Sequence, residues 1–84
     1  MTGRPAWWDW ELELSPHLLK RMKDRGFNET DLREMIEVAT DYRPGEHPGR
    51  FVLATKHAGN AWEVVVEPDD IEELSIVITA YPVT

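Results

Sequence analysis

Three runs of β-type residues fill the carboxyl-terminal part of the chain and limit it to folds built around a sheet. The runs are RFVLATKH, AWEVVVE and LSIVITAY, at residues 50–57, 61–67 and 74–81. A short link containing Ala58, Gly59 and Asn60 joins the first two runs, which is typical of a β-hairpin. A turn at residues 68–73 joins the second run to the third. The pattern therefore predicts an antiparallel meander of three strands.

The amino-terminal half predicts one strand followed by two helices. Residues 8–15, WDWELELS, alternate apolar and acidic side chains with the period of a half-buried strand. Ser15 and Pro16 then suit the N-cap and the first position of a helix, which Gly26 ends. Asn28 is expected to cap a second helix. Its apolar side chains recur at the spacing of one helical face: Leu32, Met35, Ile36 and Ala39.

These elements predict one α+β domain over residues 1–84, in the order β-α-α-β-β-β. Both helices are expected on one face of a twisted antiparallel sheet. Residues 43–49, RPGEHPG, contain several helix and strand breakers and are expected to form a loop. The first nine residues are expected to be flexible or to form an interface.

Alternation along the strands predicts which side chains cover the core. In the second strand of the meander the predicted core set is Trp62, Val64 and Val66. In the last strand the predicted core set is Leu74, Ile76, Ile78 and Ala80. The open face would then carry the opposite set of side chains, which includes Glu63, Thr79, Tyr81, Lys56 and Arg50.

Composition limits the classes of function. The formal net charge is -7, and residues 61–84 contain six acidic residues and no Lys or Arg. A broad nucleic-acid-binding face is usually basic, so a local anion site or a partner-facing surface is favoured over duplex binding. The chain has no cysteine and no apolar run long enough to cross a bilayer, which predicts a cytoplasmic protein without disulfides or membrane contact.

One segment is basic, although the chain as a whole is acidic. Four of the nine basic residues fall within six positions: Lys20, Arg21, Lys23 and Arg25. On a helix His17, Arg21 and Arg25 form a stripe beside the buried face, whereas the two lysines face solvent. Two interpretations remain open. The arginines pair with carboxylates such as Glu11, Glu13 or Glu63, or they form an anion pocket with the histidine at its edge.

Several short motifs follow one another along the chain: His17, RMKDRG, DLREMIE, GRFVLATKH, WEVVVEPD and VITAYPV. In this order they resemble a small family of uncharacterised bacterial domains grouped near RelE-like and BrnT-like toxins. The resemblance covers about residues 12–83. It implies the RelE/barnase-like fold of metal-independent ribonuclease toxins, with the substrate on the open face of the sheet. It carries over most directly to His17, Arg21, Arg25, Arg50 and Tyr81.

Such a ribonuclease needs a base for the ribose 2′-hydroxyl, an acid for the leaving oxygen, and cations for the phosphate. His17 or Glu63 is the candidate base, and His57 or Tyr81 is the candidate acid. The candidate cations are Arg21, Arg25, Arg50 and Lys56. Strand placement, rather than the resemblance, suggests Lys56, His57 and Glu63. No cofactor is expected. No metal site is expected either, because the histidines lack ligand spacing.

A second class of function stays open, because RelE-like toxins are typically strongly basic and this chain is acidic. The alternative is a non-catalytic interaction protein, such as an antitoxin, immunity protein or accessory subunit, that binds a basic partner. Trp7 and Trp8 would serve such a protein as anchors for a homodimer or a hetero-complex. Whether the chain is an enzyme is therefore left open by its sequence.

Overall fold

The structure, a computed structural model, describes residues 4–83 and confirms the α+β class. The elements in chain order are a 3₁₀ helix at Ala6–Asp9, β1 at Glu11–Leu14, α1 at Pro16–Arg25, α2 at Glu29–Val38, β2 at Asp41–Pro44, β3 at Phe51–His57, β4 at Asn60–Asp69 and β5 at Leu74–Pro82. No helix within residues 4–83 is long and apolar enough to cross a membrane.

Both helices begin where their sequences predict, and α1 also ends there. The Ser15 hydroxyl accepts a hydrogen bond from the Leu18 amide at 3.0 Å, and Gly26 ends α1 with φ at 71°. At α2, the Asn28 side chain accepts from the Asp31 amide at 2.8 Å. The Asp31 carboxylate in turn accepts from the Asn28 amide at 3.0 Å, which completes a capping box.

The sheet has five strands in the order β1-β5-β4-β3-β2. The predicted meander is confirmed, because β3, β4 and β5 pair antiparallel in sequence order. The sheet as a whole is mixed rather than antiparallel, since β1 pairs parallel with β5. The additional strand is β2, which takes Arg43 and Pro44 from the predicted loop and forms the edge beside β3.

A β-bulge in β5 changes the predicted faces of that strand. Val65 pairs with Thr79, but the next residue, Val66, pairs with Val77, so Ile78 is an extra residue. The buried side chains before and after the bulge are therefore Ser75, Val77 and Ala80. The prediction that Leu74, Ile76 and Ile78 face the core is wrong, because the extra residue shifts the alternation by one position.

The core lies between the helices and one face of the sheet, and the amino-terminal segment closes its edge. Trp8 is 6% exposed and donates its indole N–H to the Ile36 carbonyl oxygen at 2.9 Å. Trp7 is half-buried and stacks on Phe51 with a centroid separation of 5.1 Å. Residues 1–3 lie outside the described residues. Association through this segment stays a prediction, although its two leading tryptophans already pack within the chain.

Candidate functional site on the open sheet face

The open face of the sheet, opposite the helices, contains a groove with a volume of about 540 Å³. We call it the open-face groove. Its polar lining is Arg43, Glu46, His47, Arg50, Thr79 and Tyr81, and its apolar lining includes Val52, Val65 and Ile78. Four strands and the loop between β2 and β3 meet there. The groove is therefore the place where the fold brings most polar side chains of the open face together.

Glu63 is bonded to Tyr81, which lines this groove. They are direct partners in the β4–β5 ladder, which brings both side chains to the same face. The Tyr81 hydroxyl donates a hydrogen bond to Glu63 Oε1 at 2.7 Å. From β2, Arg43 donates to Glu63 Oε2 at 3.1 Å, so both oxygens of one carboxylate are occupied. The Glu63 side chain is only 19% exposed.

This arrangement moves two pKa values apart. The hydrogen bond from Tyr81, with a smaller contribution from Arg43, lowers the pKa of Glu63 despite its partial burial. Burial and the same hydrogen bond to Glu63 raise the pKa of Tyr81. At neutral pH the site therefore holds an ionised carboxylate next to a protonated phenol.

A second ion pair flanks the groove. Arg50 donates from Nε to Glu67 Oε1 at 2.8 Å, and both side chains are partly exposed. Since Arg43 is also paired, each of the two arginines of the groove has one carboxylate partner. An incoming anion would have to share or replace those partners.

The loop between β2 and β3 places His47 at the groove. Its backbone closes on itself, because the Gly45 amide donates to the Arg50 carbonyl oxygen at 2.7 Å and the Arg50 amide donates to that of His47 at 3.2 Å. Gly49 adopts φ of 85°, a left-handed conformation in which other residues are strained. The turn therefore places the exposed imidazole of His47 on the lining of the open-face groove.

Some predicted site residues meet in this groove and others do not. Tyr81 and Arg50 line it, and Glu63 is bonded to Tyr81. Lys56 is exposed on β3, two residues beyond the partner of Glu63 on the same face of the sheet. The sequence interpretation missed Arg43 and His47, because residues 43–49 were treated as a loop without a site. Tyr42, a residue type common in strands, could have indicated the strand that places Arg43 in the site.

His57 lies on the other side of the sheet. Its ring packs edge-on against Trp62 with a centroid separation of 5.4 Å and lies 6.4 Å from Phe27. This position is at the margin of the core rather than in the open-face groove. Its role as a catalytic acid stays a prediction. The candidate base Glu63 and the arginines of the open-face groove lie on the opposite face of the sheet.

The stripe on α1 lies in the helix layer. The Nε atom of Arg21 lies 3.5 Å from Nε2 of the exposed His17, while Arg25 is exposed near the helix end. Three salt bridges occur within residues 4–83, and none involves α1. The expected pairing of these arginines with carboxylates is thus not found in the described part of the chain. The anion pocket stays a prediction, separate from the groove.

Metal ligands do not cluster in the described part of the chain. No group of three or more His, Asp or Glu side chains in residues 4–83 is arranged to hold a metal ion. The two arginines of the open-face groove are instead each paired with a glutamate.

Comparison with known proteins places most of the chain in one family. The model of a domain of unknown function, DUF4258, matches residues 14–82. No curated protein and no solved structure matches the chain. The matched range contains the whole open-face groove and excludes the amino-terminal segment with Trp7 and Trp8.

Proposed function

Since the chain belongs to the DUF4258 family of domains of unknown function, we propose a function from its own geometry: RNA-phosphate binding and metal-independent RNA cleavage in the open-face groove, as in RelE-like toxins. The observation that carries this proposal is the Tyr81–Glu63 hydrogen bond, with Arg43 on the same carboxylate. A base, an acid and a cation are the parts that such a reaction requires. The resemblance of several motifs to RelE-like domains supports the same reaction.

Glu63 is the base in this proposal. Its lowered pKa keeps it ionised at neutral pH, so it is ready to take the proton of a ribose 2′-hydroxyl. A phosphate that binds Arg43 would draw the guanidinium away from the carboxylate. The pKa of Glu63 would then rise, because one stabilising partner of its charged form is lost. Binding of substrate thereby strengthens the base at the moment it is needed.

Arg43 and Arg50 bind the phosphate. Each is a guanidinium that can contact two phosphate oxygens at once, and both line the groove. Charge develops on these oxygens as the 2′-oxygen attacks phosphorus, so fixed cations favour the transition state over the ground state. Lys56, further along β3, would meet a neighbouring phosphate of the same strand.

Tyr81 is the acid. Its raised pKa keeps the phenol protonated, and the leaving 5′-alkoxide is a stronger base than a phenolate. The 2′-oxygen forms its bond to phosphorus, the bond to the 5′-oxygen breaks, and the products are a 2′,3′-cyclic phosphate and a 5′-hydroxyl. The proton that Glu63 took then returns to Tyr81 along their 2.7 Å hydrogen bond. This transfer restores both groups.

An oligonucleotide assay in the presence of EDTA tests the proposal. We expect cleavage to leave a 2′,3′-cyclic phosphate, and we expect Glu63→Gln and Tyr81→Phe each to lower the rate about 100-fold or more. Glu34→Gln is the matched control, since it changes an exposed carboxylate of α2, on the helix side of the sheet. Absence of cleavage by the unaltered chain, or a Tyr81→Phe rate equal to that of the unaltered chain, would refute the reaction.

A second candidate function is favoured by the charge of the groove. Arg43 and Arg50 are both neutralised by glutamates, and the chain carries a net charge of -7. These facts support a non-catalytic protein, such as an antitoxin, immunity or accessory subunit, that binds a basic partner. Retention of a basic protein at low salt, its loss at high salt, and absence of RNA cleavage would together favour this alternative.

A further inference from the structure

The outward face of α1 carries cations without acidic partners in the described part of the chain. Lys20 and Lys23 lie on the side of the helix opposite the buried Leu18 and are exposed. The three salt bridges found within residues 4–83 all lie elsewhere. One of the 16 acidic residues of the chain, the exposed Asp24, lies on this face one turn after Lys20, so the two lysines and this aspartate leave a net charge of +1. Such a face attracts an acidic partner.

Leu19 adds an apolar contact to this face. Its side chain is 51% exposed, and Lys23 follows it by one helical turn. A phosphate backbone would leave this leucine uncovered, whereas a protein side chain would remove it from water. The combination of one apolar and two basic side chains therefore fits an acidic protein segment that carries an apolar residue.

A segment of that chemistry occurs in the chain itself, in the turn between β4 and β5. Ile71 is 90% exposed at the tip of this turn, between Asp70 and Glu72. The Asp69 carboxylate accepts hydrogen bonds from the Ile71 and Glu72 amides at 3.0 and 3.1 Å. These bonds fix the backbone that presents the isoleucine, so docking would cost little conformational entropy.

We propose that α1 binds the β4–β5 turn of a second copy of this chain. The apolar contact joins Leu19 to Ile71. The charged contacts join the two lysines of the helix to acidic side chains of the turn, Asp70 and Glu72. In a two-fold pair each copy contributes one helix and one turn, so the contact forms twice.

This interface is independent of the proposed ribonuclease function. It also differs from association through Trp7 and Trp8, because those rings already pack against the core. The contact surfaces are small and charged, so we expect a weak, reversible dimer. Salt should weaken it further, because the Debye length falls to about 3 Å at 1 M.

Sedimentation velocity on charge-reversed chains tests the proposal. One chain carries Lys20→Glu with Lys23→Glu, and the other carries Asp70→Lys with Glu72→Lys. Each alone should dissociate about tenfold more readily than the unaltered chain, since like charges then face each other. A 1:1 mixture should restore the dimer, because every contact in the mixed pair again joins opposite charges. A single chain with all four changes should also dimerise.

The controls separate this contact from others. Ile71→Ser should weaken the dimer, while Lys56→Glu, an exposed lysine outside both surfaces, should not. Circular dichroism checks that each variant is folded, which we expect because all the altered side chains are exposed. The proposal is overturned if the unaltered chain stays monomeric at high micromolar concentration and low salt. It is equally overturned if the mixture of the two reversed chains fails to associate.

Discussion

The Ser15 hydroxyl donates a hydrogen bond to the Ile78 carbonyl oxygen at 2.8 Å, and so joins the cap of α1 to the bulge of β5. Ile78 is the residue that has no partner in the β4–β5 ladder. One hydroxyl thus satisfies an orphan amide of the helix and an orphan carbonyl of the sheet.

Ser15→Ala should therefore lower the free energy of unfolding more than removal of an ordinary cap. We expect a loss of about 2–3 kcal/mol, because the cap disappears and the Ile78 carbonyl is left without its partner. The matched control is Asn28→Ala, which removes only the cap of α2 and should cost about 1 kcal/mol. Urea denaturation measures both. Equal losses for the two variants would contradict the link to the bulge.

Tyr81→Phe should change the pH dependence of stability on both sides of neutrality. The lowered pKa of Glu63 contributes stability that is present above its ordinary value of 4.5 and is lost as the pH falls through the lower folded value. The raised pKa of Tyr81 contributes stability that is present below 10.0 and is lost as the pH rises through the higher folded value.

Tyr81→Phe should thus lower the free energy of unfolding most near neutral pH, by about 1 kcal/mol. The difference in melting temperature from the unaltered chain should also be largest there. The gap should narrow in acid below the folded pKa of Glu63 and in alkali above that of Tyr81. Tyr42→Phe is the control, since the Tyr42 hydroxyl makes no hydrogen bond within residues 4–83. A gap independent of pH would argue against coupling between Glu63 and Tyr81.

The turn between β3 and β4 offers a stabilising substitution. Its central residues, Ala58 and Gly59, have φ of 52° and 81°, the positive values of a two-residue type I′ hairpin turn. Alanine is strained there, whereas asparagine tolerates this conformation. Ala58→Asn should raise the free energy of unfolding by about 0.5–1 kcal/mol.

Gly59→Ala is the opposite change at the neighbouring position. A Cβ at Gly59 would meet no atom within 4 Å, so its cost is that of the backbone alone, about 1 kcal/mol. Thermal melts of both variants test the turn type. A loss of stability in Ala58→Asn would contradict it.

Trp8→Ala should destabilise the fold strongly, although Trp8 lies outside the range matched by the family. The ring is buried, bonded to Ile36, and covered by Arg4, whose guanidinium lies 4.6 Å from the ring centroid. We expect a loss of about 3–5 kcal/mol, a large share of the stability of a domain of this size. Trp10→Ala, at a half-buried position, is the matched control in chemical denaturation and should cost less.

Arg21→Ala tests the predicted anion pocket on α1. Arg21 has no carboxylate within 4 Å among the described residues, so its loss should leave the melting temperature unchanged. Phosphate or oligonucleotide affinity should fall about tenfold if the pocket exists. Lys20→Ala should leave that affinity unchanged. If titration calorimetry gives the same affinity for the unaltered chain, Arg21→Ala and Lys20→Ala, the predicted anion pocket is refuted.

Local signals were sufficient for most of the fold. Caps at Ser15 and Asn28 and a stop at Gly26 are short-range features, and the structure contains all of them. The strand β2 was missed because its four residues are all exposed and end in proline, so the sequence shows no alternation there. The bulge at Ile78 was missed because the alternation of LSIVITAY does not indicate it, and the hydrogen bond that Ile78 accepts comes from the distant Ser15.

Part of the candidate site was predicted, because that part also depends on local alternation along the strands. Glu63 and Tyr81 were placed on one face because the bulge shifts only the residues before Thr79, and the remainder of β5 keeps its alternation. Arg43 reaches Glu63 through β2, so an unpredicted strand concealed the third member of the site. His47 depends on a loop whose conformation follows from backbone hydrogen bonds rather than from a motif.

The parallel pairing of the first and last strands delays completion of the fold during synthesis. The Ser75 hydroxyl bonds the carbonyl oxygen of Trp7, 68 residues earlier in the chain. Contacts of such long separation form slowly, because a large loop must close before they gain anything. The amino-terminal segment therefore cannot complete its contacts until β5 has been synthesised, although the rings of Trp7 and Trp8 already have partners in α2 and β3.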